Sequence, residues 1–338
     1  MSLSISKNIL AWYSNNKRTL PWRNYKNQKD RHYKVLLSEF MLQQTQVKTA
    51  LPYFNNFYSN INSINKLAAT SQKKVNKLWE GLGYYRRARF LLESAKIIAQ
   101  KYNGKLPDNY DDLIKLPGVG DYTAKAILSI GFDKSEIGID GNVERVTSRV
   151  FGKHSKKEIA KNVQKLKVKK SSSDLMQGLM ELGALVCKPS KPHCNDCCIN
   201  RYCKFNLKET KSQRIKKIKE KKIKKFITLI LIKKNKILVT KNPNIGILKN
   251  FYCTPLFEYK SENNLLLKLK KELGKNLIIK PSSILKINIS NYVAQIKILN
   301  VTLNNKLKKN YRMLSKSDLK KEFVSGFFLK ILKKVNFI

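Results

Sequence analysis

Five of the six cysteines fall between Cys187 and Cys203, and four of these stand at C-x6-C-x2-C-x5-C in "CKPSKPHCNDCCINRYC". Thiolates gathered by so short a loop, Cys187, Cys194, Cys197 and Cys203, suit a zinc ion or a cubane iron–sulfur cluster, and residue type leaves both open. Cys198 is adjacent to Cys197 and too constrained to ligate alongside it. Two carboxylates add a different chemistry. Between Val35 and Leu42 only Ser38 and Glu39 are polar, so Glu39 lies near the apolar edge of a helix. Burial raises a carboxyl pKa and keeps the group protonated, as a general acid requires. Asp140, in "GIDGNVERV", reads on its own as a D-G turn.

A third stretch, "LPGVGDYTAKAIL" from Leu116 to Leu128, turns on two glycines and enters a helix. Backbone amides and a helix dipole there can meet an anion. It matches neither G-x4-G-K-[ST] nor the strand-led G-x-G-x-x-G, because Leu113 to Leu116 reads as the end of a helix. A plain helix–helix turn and a helix-hairpin-helix gripping a DNA phosphate through Gly118, Val119 and Gly120 both remain.

The elements that must position these groups follow from periodicity. Residues 1 to 207 read as helix after helix: "YKVLLSEFMLQQTQVKTALPYF" places Leu36, Leu37, Phe40, Met41, Val47 and Leu51 on one apolar face. Residues 208–225, "KETKSQRIKKIKEKKIKK", read as a solvated basic linker. From 226 to 338 the chain turns β-rich, with a hairpin predicted in "FITLILIKKNKILVT" around Lys234 to Lys236 and two strands in "ILKINISNYVAQIKILNVTL". "NNLLLKLKKELGK" and "SGFFLKILKKV" have helical spacing. A small α/β domain is thus expected after an all-α one.

The 338 residues carry 69 Lys and Arg against 23 Asp and Glu, a formal charge of +46. Such an excess binds polyanions through counterion release. Only eleven of the cations are arginine, and an AT-rich coding bias produces the same Lys-, Asn- and Ile-rich composition. Charge therefore permits a nucleic-acid partner without showing one. No segment has the pattern of a signal peptide, and no apolar run approaches the ~20 residues of a membrane span, so a cytoplasmic chain is expected. Clustered cysteines in such a reducing compartment point to metal rather than disulfides.

Together, "SEFMLQQTQ", "WEGLGYYRRAR", "LPGVGDYTA", "DGNVERV", "MELGALVC" and the cysteine spacing closely resemble the adenine DNA glycosylase family of the endonuclease III, or helix-hairpin-helix, superfamily. The resemblance runs from about Leu10 to Cys203. It implies an all-α helix-hairpin-helix domain with a [4Fe–4S] loop, then a Nudix-like α/β domain, in a monofunctional enzyme that flips adenine out of A:8-oxoguanine or A:G mispairs in double-stranded DNA. Glu39 would protonate the base, Asp140 stabilise the sugar cation and Asn142 orient them, with Arg18, Trp22 and Gln177 lining the base pocket. Leu42, Gln44 and Tyr84 would wedge into the duplex.

Tyr122 stands where strand-cutting members of the superfamily carry a Schiff-base lysine, which implies no lyase step. The four spaced cysteines would hold the cluster, with Lys188, Lys191, His193, Arg201 and Lys204 as a basic rim. A monovalent cation at the hairpin and a monomeric, nucleoid-associated protein are further implications. The family reads 8-oxoguanine with a Phe-Ser-His triplet. Here Ile289, Ser290 and Asn291 stand at that place, so Ser290 remains and weaker lesion selectivity is expected. Two other readings are a superfamily member acting on another mismatched base, such as thymine, and a non-catalytic DNA-binding remnant. The retained carboxylates speak against the second.

Overall fold

Where apolar residues recur three and four apart, the chain of this computed structural model is helical, and the buried stripes of those helices make its first core. The structure describes residues 1–153, 155–205, 222–241, 251–273, 278–289, 292–302, 310–322 and 324–338. The chain divides into two units, one of residues 1–78 and 86–214, the other of residues 79–85 and 215–338. The short 79–85 segment thus groups with the second unit, although the helical reading had placed it within the first.

The first unit contains α1 (Ser2–Asn16), α2 (Gln28–Leu42), α3 (Val47–Asn60), α4 (Ile64–Ala68), α5 (Gln72–Leu78) and α6 (Arg86–Lys101). After these come α7 (Tyr110–Leu113), α8 (Asp121–Ala126), α9 (Gly141–Phe151), α10 (Lys156–Gln164) and α11 (Ser172–Leu185). The stretch expected to present one continuous apolar face is two helices. Leu36, Leu37, Phe40 and Met41 are buried on α2, whereas Val47 and Leu51 are half-buried and Ala50, Phe54 and Phe57 fill the core from α3. The break falls in "QQTQ", which has no apolar residue to bury, and Gln44 there takes φ 56°.

The second unit holds β1 (Lys222–Ile230), β2 (Ile232–Lys233), β3 (Lys236–Lys241), β4 (Tyr252–Cys253), β5 (Leu256–Glu258), α12 (Glu262–Leu273), β6 (Ile278–Asn288) and β7 (Tyr292–Thr302). It ends with β8 (Tyr311–Ser315), α13 (Lys316–Lys321) and α14 (Gly326–Lys334). One sheet has the order β5-β1-β7-β6, with β1 and β7 parallel from Lys222↔Tyr292 to Ile230↔Asn300. The other runs β2-β3-β4 with β8 against β3.

The expected hairpin turn is present, with Lys234 and Asn235 at φ 49° and 56° as a two-residue primed turn requires. Only β2 pairs across it, while β1 departs into the first sheet. Strand β1 also begins four residues inside the expected linker. Lys222, Ile223, Lys224 and Lys225 are paired but exposed, so their composition reads as solvated chain. Side chains then alternate: Phe226 and Ile230 pack with Phe328, Ile331 and Leu332 of α14, and Ile227 and Leu229 with Leu269 of α12. Among the described residues, no helix is long and apolar enough to cross a membrane.

Candidate active site and cysteine loop

Glu39 sits on the inner face of α2, 5 % exposed. Burial pushes its carboxyl up to about 7; the Tyr122 hydroxyl, which hydrogen-bonds it, opposes that shift and the charge of Asp140 adds to it. Tyr122, on α8, is itself pushed well above the ordinary phenol value by burial and by the Glu39 and Asp140 carboxylates. It is therefore a neutral donor, and its hydroxyl also lies 3.8 Å from Met180 Sδ.

Asp140 is the N-cap of α9. Its Oδ1 accepts from the amides of Asn142 (2.9 Å) and Val143 (2.7 Å), and its Oδ2 from Asn142 Nδ2 (3.0 Å). The D-G pair is thus a helix start rather than a free turn, and the positive end of α9 faces the carboxylate. Arg145 holds Asn142 in turn: Nη2 donates to Asn142 Oδ1 (2.8 Å) and the Gly183 carbonyl (2.7 Å), and Nε to the Cys187 carbonyl (2.7 Å). A side chain at Gly183 would bring its Cβ within 2.6 Å of Asn142 Cβ, so only glycine lets α11 approach this closely.

Arg18 and Gln177 line a cleft of about 390 Å³ together with Arg23, Tyr25 and Asp174. Both are tied through residues that sequence reasoning missed. Glu181, one helical turn beyond Gln177, accepts a two-point contact from Arg18 (2.7 and 2.8 Å) and a third bond from Arg23 (2.9 Å). Arg23 Nε also donates to Gln177 Oε1 (2.7 Å). Despite burial, which opposes it, the two guanidiniums hold the Glu181 carboxyl below its usual range. The i, i+4 spacing of Gln177 and Glu181 within "QGLME" was the available signal. Trp22 stands apart from the cleft: it is buried edge-on against Phe54, ring centres 5.1 Å apart.

The hairpin joins α7 to α8. Gly118 takes φ 79°, and a Cβ there would meet Phe40 and Phe90 at 2.9 Å, so this turn needs glycine twice over. The Val119 amide bonds the Leu116 carbonyl (3.1 Å), the Val119 side chain is buried and Gly120 is exposed. Lys125, the nearby amine that could compete in a lyase step, pairs with Asp121 at 2.7 Å.

Leu42 is half-buried at the end of α2, and Gln44 is exposed. Tyr84, in the 79–85 segment, is 47 % exposed with φ 49°, like Gln44 a large residue in left-handed backbone. Ser290 and Asn291 lie outside the described residues, while Ile289 packs against the core of the second unit.

Cys187, Cys194, Cys197 and Cys203 line one cavity with Val146, Leu182 and Ile199; Cys198 does not line it. No three His, Cys, Asp or Glu side chains among the described residues close on a point as a single metal ion would need. Four thiols around one cavity are a donor set that fits an iron–sulfur cluster. Arg149 supports the rim, its Nη1 3.3 Å from Cys187 Sγ and 2.7 Å from the Lys188 carbonyl.

The model of the HhH-GPD superfamily of base excision DNA repair proteins matches residues 37–169. The adenine DNA glycosylase of Buchnera aphidicola subsp. Baizongia pistaciae is 39 % identical over 269 residues, covering 76 % of this chain and 74 % of that protein. The human adenine DNA glycosylase is 38 % identical over 217 residues, 61 % of this chain and 40 % of its own. A thermostable thymine-DNA glycosylase structure superposes with a TM-score of 0.54 at 26 % identity, over 59 % of this chain and 94 % of that one. The chain belongs to the adenine DNA glycosylase family.

Proposed function

We propose that this protein removes adenine from mispairs with 8-oxoguanine or guanine in duplex DNA by hydrolysing the N-glycosidic bond, leaving an abasic site in an uncut strand. The observation that carries the reading is Glu39, whose carboxyl burial raises to about 7 so that a large share keeps its proton near neutral pH, within electrostatic reach of the helix-capping Asp140. Glu39 gives its proton to N7 of the flipped adenine. The C1′–N9 bond then breaks with its electron pair going to the base, and Asp140 stabilises the cationic sugar. Asn142, clamped by Arg145, fixes the Asp140 carboxylate, and Glu39, now deprotonated, helps activate the water that completes hydrolysis.

Arg18 and Gln177 receive the base, while Trp22, packed against Phe54, lies apart from the cleft that those two residues line. Leu42, Gln44 and Tyr84 enter the duplex as the base leaves the stack. The amides of Gly118 and Gly120 are offered to a DNA phosphate, with a monovalent cation at the same turn; the Val119 amide is already used. Cys187, Cys194, Cys197 and Cys203 would hold a [4Fe–4S] cluster, which orders the basic loop toward DNA and supplies no bond chemistry. The second unit serves as a Nudix-like reader of the opposite base, its selectivity reduced by Ile289 and Asn291 beside Ser290.

Duplexes bearing A:8-oxoguanine, A:G and T:G test this. Alkali-labile sites appear in the first two and not in the third, and the strand stays intact until alkali is added. The A:8-oxoguanine and A:G rates lie closer together than in a relative with the full Phe-Ser-His triplet. Strand scission without alkali that disappears in Tyr122→Phe would overturn the monofunctional reading.

A further inference from the structure

The loop between α2 and α3 is held from an unexpected direction. Arg87, near the start of α6 and 7 % exposed, turns its guanidinium toward the C-terminal end of α2. Its Nη1 donates to the carbonyls of Phe40 (3.1 Å), Met41 (2.7 Å) and Gln43 (2.5 Å), and its Nη2 to Thr45 Oγ1 (3.1 Å). Carbonyls in the last turn of a helix have no following amide to accept from. One planar guanidinium supplies donors for several of them and sets its positive charge at the negative end of the helix dipole.

The contacts at Gln43 and Thr45 bracket Gln44. That residue is exposed with φ 56°, a left-handed conformation that a non-glycine residue keeps only where its surroundings enforce it. The Gln43 side chain extends the scaffold, its Nε2 reaching the Gly118 carbonyl (3.2 Å) and Thr123 Oγ1 (3.4 Å). Arg87 is buried and therefore acts on DNA only through the loop it shapes.

We propose that Arg87 is the positioning residue that holds the Leu42–Thr45 loop in its duplex-inserting shape, so that base flipping depends on it far more than the proton transfer from Glu39 does. The proposal rests on the adenine-excision reading above. Two substrates separate the steps: an A:G mispair within a full duplex, and the same adenine in a three-nucleotide bubble where little unstacking is needed. Arg87→Lys retains the charge but loses the planar fork.

Single-turnover adenine release by Arg87→Lys falls about tenfold on the duplex, the equivalent of ~1.4 kcal/mol, and under about threefold on the bubble. The fluorescence rise of a 2-aminopurine placed beside the adenine slows in parallel with the duplex rate. Thr45→Val, which removes one contact and leaves Arg87 in place, shifts both readouts the same way by a smaller factor. Equal losses on both substrates, or none on the duplex, would overturn the proposal. Wild-type inactivity on both substrates would instead overturn the adenine reading beneath it.

Discussion

Glu39→Gln lowers the single-turnover rate of adenine release by about a thousandfold, within the range by which a positioned general acid accelerates such a step. The amide keeps the shape and much of the hydrogen bonding of the carboxyl but has no proton to give to the base. The pH profile supplies the sign. Because the buried carboxyl titrates at about 7, the competent protonated form is lost as pH rises, and the rate falls through that value on the alkaline side. Glu39→Gln flattens this limb.

Stability changes in the same window. A carboxyl raised in the folded state contributes fully below its unfolded value, near 4.5, and that contribution is lost as pH rises through about 7. The ionised form would cost the fold on the order of 3 kcal/mol. The Glu39→Gln protein is therefore more resistant to denaturant than wild type at pH 8, and the difference disappears near pH 4. Urea midpoints at the two pH values measure it. A rate that rises with pH through 7 would exclude Glu39 as the acid.

Asp140→Asn costs a comparable factor for a different reason. Asparagine is as good an N-cap as aspartate, so α9 and the overall melting temperature are preserved. What disappears is the negative charge beside the developing sugar cation, together with the acceptor that Oδ2 gives Asn142 Nδ2; such a charge is an electrostatic contribution that in enzymes commonly reaches a hundred- to a thousandfold per group. Adenine release falls by about that factor, while affinity for a duplex bearing an uncleavable adenine analogue stays within about threefold of wild type. Loss of binding together with loss of rate would mean that the substitution had disturbed the loop before α9 rather than the chemistry. The Glu39 pKa offers an independent check. Removing the Asp140 charge takes away one of the influences that raises it, so the alkaline limb of any residual activity moves to lower pH.

The motif-bearing residues of the helical unit were legible because each motif is also a local structural device. The apolar run around Glu39 is the buried face of α2, "LPGVG" needs glycine where φ is 79°, and the aspartate before "GNVERV" caps a helix. Arg87, Arg145 and Glu181 escaped notice because their meaning lies in contacts distant along the chain. A guanidinium on α6 that ends α2, or a carboxylate on α11 clamped by Arg18 and Arg23, leaves no periodic mark. The break between α2 and α3 was hidden in the same way, since apolar spacing continues across a bend. In the second unit, strand content was readable from β-branched runs. Pairing was not, because whether β1 joins β3 or β7 depends on which face each side chain buries.

The hydrogen bonds on Asp140 also distinguish its two oxygens. Oδ1 is committed to two amides of α9, whereas Oδ2 among the described residues accepts only from Asn142. Any approach of this carboxylate to the sugar carbon is thus regioselective, through Oδ2 and on the side that Asn142 leaves open. Were a covalent glycosyl ester to form there, its neutral carboxyl would be a weaker partner for the positive end of α9, and the helix would favour its hydrolysis. The fold would then act on the lifetime of the intermediate, biasing the enzyme toward turnover instead of a trapped adduct.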